Sequence, residues 1–182
     1  MSLKDYLRKM RGGDRGSPPR VGNAEVAWSW LGAFVGIATV AGIGQTVLAG
    51  LDLTLMLGSL GASAVLLYGT PRSPFAQPRN LVGGHLLSAI VGVLCWRVLH
   101  SYPGLAAALA VSTAIAAMHL TRTLHPPGGA TALIAIIGSR EIHDMGFLYV
   151  LVPGTLGPLI LLVVALVVNN LPASRRYPET WF

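Results

Sequence analysis

One run in this strongly apolar chain combines groups able to do chemistry: Leu124-His125-Pro126-Pro127-Gly128-Gly129-Ala130-Thr131-Ala132-Leu133. The imidazole of His125 could donate to an anion or carry a proton, since histidine titrates at about pH 6.5. The structural alternative is that it only hydrogen-bonds a broken backbone. Two prolines remove backbone donors and disfavour helix before them, and two glycines permit a sharp turn. A helix restarting at about Ala130 would begin with unpaired amides, and its positive end favours negative charge. In hydrocarbon such a break survives only where protein or a water-filled cavity satisfies it. The stretch is therefore read as lining a site or a pathway.

The same pattern recurs upstream. Leu53-Thr54 followed by Gly61-Ala62-Ser63-Ala64 matches Leu120-Thr121 followed by Gly129-Ala130-Thr131-Ala132. Further on, Leu81-Val82-x-Gly84-x-Leu86 matches Leu151-Val152-x-Gly154-x-Leu156. Ser63 and Thr131 thus occupy equivalent places as hydroxyl donors, unless they only cap or glue helices. Two copies of three segments each would run in opposite directions. Inverted repeats with interrupted helices hold their site near the midplane, where the two copies meet. Gly61, Ala62 and Ser63 would then face Gly128, Gly129, Ala130 and Thr131 across the site.

Other polar groups flank this pair. Arg122 could attract an anion at the inner mouth or simply snorkel to the interface. His119 lies three residues earlier on the same face, at the repeat position of Asp52. Gln77, Arg79, Asn80 and His85 gather at the start of the third segment, as an inner vestibule or a proline-stiffened loop. Glu141, His143 and Asp144 could suggest a metal, but His100 is the only other nearby candidate and a site needs three or four ligands, so no metal is expected. No nucleophile–base pair, paired carboxylates or phosphate loop is visible, so the chain reads as a non-enzyme without a cofactor.

The elements that must hold these groups are membrane helices. The 182 residues are 53% hydrophobic and 11% charged, against about 25% charged in soluble domains. Long apolar runs argue for helices over a barrel. Six segments are expected: 26–49, 53–68, 81–99, 105–121, 130–138 and 145–171, the fifth too short to cross alone. The fold class is thus all-α membrane protein, with about six spans as two inverted repeats (26–99 and 105–171) and half helices. Pro153 and Pro158 should kink the sixth segment. Residues 1–22 read as a flexible basic arm, not a cleaved signal, and 172–182 as a short tail. With both ends cytoplasmic, eleven of thirteen Lys and Arg fall inside, and Arg97 and Arg140 outside. The net charge of +6 therefore points to anionic lipid rather than nucleic acid. Six short spans barely enclose a cavity, so a homo-oligomer is expected. Lone Cys95 permits no intrachain disulfide.

The run His125-Pro126-Pro127 resembles the signature of the HPP family of integral membrane proteins. Pro71-Arg72-Ser73-Pro74-Phe75-Ala76-Gln77-Pro78-Arg79-Asn80, followed by Gly83-Gly84-His85, supports the match over about residues 22–171. Members in cyanobacteria and chloroplasts are assigned to nitrite transport, so the resemblance implies transport of a small inorganic anion. It also implies an integral protein of the bacterial cytoplasmic (inner) membrane. Some bacterial members carry nucleotide-sensing CBS domains; with eleven residues after the last segment, none is expected here. A channel for a small neutral solute such as urea or ammonia, or a scaffold or sensor without solute, are the competing readings. Replacing both Ser63 and Thr131 by valine should weaken anion binding and leave the fold intact.

Overall fold

The computed structural model describes residues 2–11, 16–17, 19–48 and 55–182. These form helices and loops, with no strand among the described residues. The helices are α1 (Leu3–Lys9), α2 (Asn23–Ile43), α3 (Gly58–Ala64), α4 (Pro78–Leu99), α5 (Pro103–Thr121), α6 (Pro126–Ile137), α7 (Arg140–Met145), α8 (Leu148–Leu151) and α9 (Gly157–Val168). Wider π turns follow α2 (Gly44–Leu48) and α3 (Val65–Gly69) and join α8 to α9 (Val152–Leu156). Four stretches are long and apolar enough to cross a membrane: Asn23–Val47, Pro78–Leu99, Pro103–Thr121 and Leu148–Val168. Gly58–Gly69 and Pro126–Ile137 are apolar but shorter. The π turn at Val152–Leu156 is the kink expected at Pro153, which cannot donate to the preceding turn.

Three expectations change. The double proline does not precede a break: Pro126 and Pro127 open α6, where a missing N–H costs nothing. Gly128 and Gly129 lie inside that helix, so α6 and α3 each start four residues earlier than expected, at Pro126 and Gly58. The turn is made instead by Arg122, which adopts the left-handed conformation (φ 57°, ψ 37°) after α5. The arm is not wholly irregular either: Leu3–Lys9 is helical, with Ser2 Oγ accepting from the Asp5 N–H. Asp52 and the Leu53-Thr54 half of the repeat lie outside the described residues.

Small residues set the packing. Gly84, Ser88 and Gly92 recur every fourth residue on α4 and meet Gly128, Ala132 and Ala135 of α6. A Cβ on Gly92 would sit 2.7 Å from Ala135 Cβ, and one on Gly128 2.8 Å from Ser88 Oγ. These glycines serve close helix approach, not bending. On α5, Ala106, Ala110, Ala114 and Met118 form the buried stripe that closes the α4–α5–α6 unit. The Tyr68 ring lies across Gly32 and Gly36 of α2, tying α3 to the other unit, α2 and α9. Large apolar side chains such as Phe34, Val98, Leu120 and Val163 point outward, a surface suited to lipid.

Hydrogen bonds identify which chain ends share one end of the bundle. Arg175 is held by Glu25 and Ser29 of α2 and by Asn169. Arg79 donates to the Thr121 carbonyl and Asn80 to the Leu124 carbonyl. The Gln77 side-chain carbonyl accepts from the Glu179 and Thr180 amides, and Tyr177 Oη donates to the Ala76 carbonyl. The starts of α2, α4 and α6, the end of α5 and the chain after α9 therefore meet here. The tail 172–182 is a strap across the proline-rich 71–79 loop. Arg97, His100, His143 and Asp144 line a cleft at the other end of α4.

Candidate functional site

The two short helices lie side by side. Ser59 Oγ is 2.9 Å from Thr131 Oγ1, and Ser63 Oγ is 2.8 Å from His125 Nε2. Moving forward along α3 means moving back along α6, so the pair runs antiparallel. Helix α4 passes beside both and supplies His85. Its Nε2 is 2.7 Å from Ser63 Oγ, and its Nδ1 is 2.7 Å from Thr131 Oγ1. His125 precedes Pro126 and is held extended (φ −135°, ψ 105°), as a residue before proline must be. Its Nδ1 meets the Phe75 carbonyl at 2.8 Å.

The outcome is one hydrogen-bonded chain: Ser59, Thr131, His85, Ser63, His125, Phe75 carbonyl. All five side chains are fully buried, and the two imidazole centroids are 5.0 Å apart. The close seam makes this possible, because a Cβ on Gly84 would come 2.5 Å from His125 Cβ. Neither a carboxylate nor a lysine belongs to the buried polar set among the described residues; its one arginine, Arg175, is at the strap. No buried side-chain nitrogen or oxygen there lacks a partner. Each such group would cost about 1–3 kcal/mol if left unpaired, so the network is satisfied as a unit.

The sequence candidates divide cleanly. Ser63, Thr131, His85 and His125 come together, and Gly128 packs beside them against Ser88. Gly61 and Ala62 face outward and are exposed. His119 is exposed and, with Gly129 and Ala130, lines an apolar groove between α5 and α6. Arg122 and Arg79 are exposed and apart from the network. The α6 N-terminus offers fewer donors than expected: Pro126 and Pro127 have none, and the Gly128 N–H donates to the His125 carbonyl at 2.8 Å.

Sequence reasoning missed Ser59 and Tyr149. Ser59 lies one turn before Ser63, a spacing that puts both hydroxyls on one helix face. Tyr149 Oη donates to the Thr131 carbonyl at 2.7 Å, a link with no local sequence signal. It also missed that Ser63 would sit between two imidazoles, an arrangement that spacing alone does not reveal. Tyr149 lines the cleft of about 480 Å³ at the far end, where Trp96 stacks on His143 with centroids 3.7 Å apart. Among the described residues, no three His, Cys, Asp or Glu side chains are grouped to hold a metal.

Comparison with known proteins follows the same lines. A family model described as HPP, transmembrane region, matches residues 18–178. A transmembrane protein of Dictyostelium discoideum is 47% identical over 181 residues, covering 97% of this chain and 57% of the relative. A second Dictyostelium transmembrane protein is 43% identical over 187 residues, covering 100% of this chain and 65% of the relative. The chain thus spans about six-tenths of the length of these curated relatives. No solved structure matches it. With a family match over nearly the whole chain and helices built for a bilayer, this is an integral membrane protein of the HPP transmembrane family.

Proposed function

We propose that the chain passes a small inorganic anion, nitrite being the leading candidate, across a membrane along the interface of α3, α4 and α6. The observation that carries this is the buried chain of hydroxyls and imidazoles where two short antiparallel helices meet. Polar groups inside a membrane are costly and mark solute or proton pathways. Hydroxyl and imidazole protons suit an anion, and no carboxylate lines the network to repel one. The HPP motifs favour nitrite among small anions.

In this reading α2–α4 and α5–α9 are two inverted three-segment repeats that cross six times. The antiparallel pairing of α3 and α6 supports it. So does a shared detail: Ser63 Oγ lies 3.1 Å from the carbonyl four residues back, and Thr131 Oγ1 3.5 Å from its own equivalent. The arginine-rich end is cytoplasmic by the positive-inside rule, with both termini there. The expected compartment is a bacterial cytoplasmic membrane, although the two Dictyostelium relatives are eukaryotic. The sealed network is an occluded state that must open for passage. The chain is read as a non-enzyme without a cofactor. Partners are the bilayer and further copies of the chain, not nucleic acid.

One observation favours a second reading, a pathway for a neutral solute such as urea or ammonia. Arg79 and Arg122 lie at the surface, so no cation lines the network. Flux of nitrite, urea and ammonia into proteoliposomes separates the two. Saturable nitrite entry supports the anion pathway. Entry of a neutral solute without nitrite overturns it, and no flux of any solute from folded protein overturns transport.

A further inference from the structure

The Phe75 carbonyl can only accept a hydrogen bond, and this orders the protons from there to Thr131. His125 must carry its proton on Nδ1, 2.8 Å from that carbonyl. Its Nε2 is then bare and must accept from Ser63, whose hydroxyl lies 2.8 Å away. Ser63 has one proton, so the 2.7 Å contact with His85 must use a proton on His85 Nε2. His85 Nδ1 is then bare and accepts from Thr131 at 2.7 Å. The Thr131 hydroxyl is also placed to donate to Ser59 Oγ, at 2.9 Å. The neutral histidines are therefore opposite tautomers, Nε2–H at 85 and Nδ1–H at 125.

Each hydroxyl also has a second acceptor in reach. Ser63 Oγ is 3.1 Å from the Ser59 carbonyl. Thr131 Oγ1 is 2.9 Å from Ser59 Oγ and 3.5 Å from the Pro127 carbonyl. We infer that the network is a binding site for one proton, shared by His85 and His125 and accommodated by rotation of the two hydroxyls. A proton arriving on His125 Nε2 turns the Ser63 O–H to the Ser59 carbonyl, and Ser63 Oγ then accepts from both imidazoles. A proton arriving on His85 Nδ1 turns the Thr131 O–H toward Ser59 Oγ or the Pro127 carbonyl in the same way. On either histidine the added proton finds a hydroxyl oxygen, Ser63 Oγ or Thr131 Oγ1, to accept it, so the proton can be held without opening the bundle.

The neighbours allow one charge and resist two. Helix α3 presents Ser59 and Ser63, α6 Thr131, α5 Met118, and the 74–76 turn the Phe75 carbonyl. Tyr149 of α8 is the one further titratable side chain that reaches the network among the described residues, through the Thr131 carbonyl. With no carboxylate to offset them, two imidazolium rings 5.0 Å apart would repel, so the pair takes up its protons as a coupled unit. The proton site stands without the transport reading; with that reading, it makes the chain a proton-coupled carrier.

Nitrogen-15 histidine spectra of the full chain in lipid test the site directly. His100→Gln, His119→Gln and His143→Gln, made singly, assign the other signals and leave the network untouched. The expected result is one Nε2–H and one Nδ1–H imidazole in the core. On acidification from about pH 8, one proton per chain should enter the pair while the bundle stays folded. Two core imidazoles of the same tautomer, two independent protonations, or no uptake would each overturn it. In proteoliposomes with a pH-sensitive dye, one proton moving with each nitrite supports coupling, and nitrite flux without protons overturns coupling. Opposite tautomers sharing one proton, in protein that moves no solute, would support the proton site and refute the transport reading.

Discussion

Gly92→Ala tests whether the α4–α6 seam positions the network. Gly92 lies two turns from His85, so the variant touches no side chain of the network. Its new methyl would meet Ala135 Cβ at 2.7 Å and the Ala132 carbonyl at 2.8 Å. Ordinary contact between such atoms is about 3.5–4.0 Å, and neither neighbour is a flexible side chain, so the helices must part by about 1 Å. A 2.7 Å bond between His85 and Thr131 would then reach about 3.7 Å, past the limit for a hydrogen bond. Overpacking of this kind costs about 1–3 kcal/mol. Gly61→Ala is the control: a methyl there meets nothing within 4 Å. Both variants gain the same helix propensity, so that contribution cancels and the difference isolates the seam. Unfolding in mixed detergent micelles should show Gly92→Ala less stable than Gly61→Ala by about 1–3 kcal/mol. Equal stabilities, within about 0.5 kcal/mol, would refute the close seam.

Three further substitutions probe separate parts of the molecule. Thr131→Val strands both His85 Nδ1 and Ser59 Oγ, so unfolding in micelles should show a loss of about 2 kcal/mol, more than the ~0.6 of an average interhelical bond. The Arg175 side chain is 3% exposed and holds Glu25, Ser29 and Asn169; Arg175→Ala should cost about 3 kcal/mol by the same measurement, whereas Arg8→Ala, at a side chain 75% exposed, should cost under about 1. Arg122→Gly relieves a left-handed residue and should raise stability by about 1 kcal/mol, readable as a higher unfolding midpoint.

Much of the helical plan is legible in composition and hydropathy, because a membrane helix must carry its apolar residues without a break. Four long helices and two short ones fall on the six apolar runs. The glycines are less legible. Gly128 and Gly129 read as a turn beside two prolines, yet proline is tolerated at a helix start, and only the facing α4 surface shows why glycine is needed there. Ser63 and Thr131 are legible through the repeat, and His85 and His125 through their place in an apolar chain. Their joining is not, because His85 arrives from a third helix, at a position the repeat motif Leu81-Val82-x-Gly84-x-Leu86 leaves open. The long-range contact also alters one expectation. Removing both hydroxyls by valine leaves three imidazole nitrogens, Nδ1 and Nε2 of His85 and Nε2 of His125, without partners, so the double variant loses stability as well as any bound anion. Arg79, His119 and Arg122 are equally eligible in sequence only because charge near a span end serves the interface as readily as a pathway.

The most direct test compares initial nitrite uptake by vesicles containing the wild-type chain with vesicles containing His125→Asn. Asparagine keeps a donor for the Phe75 carbonyl and loses the nitrogen that meets Ser63. A working buried network predicts saturable uptake in the wild type and uptake at the level of empty vesicles in the folded variant. Equal uptake by both, or none by the wild type, would contradict it.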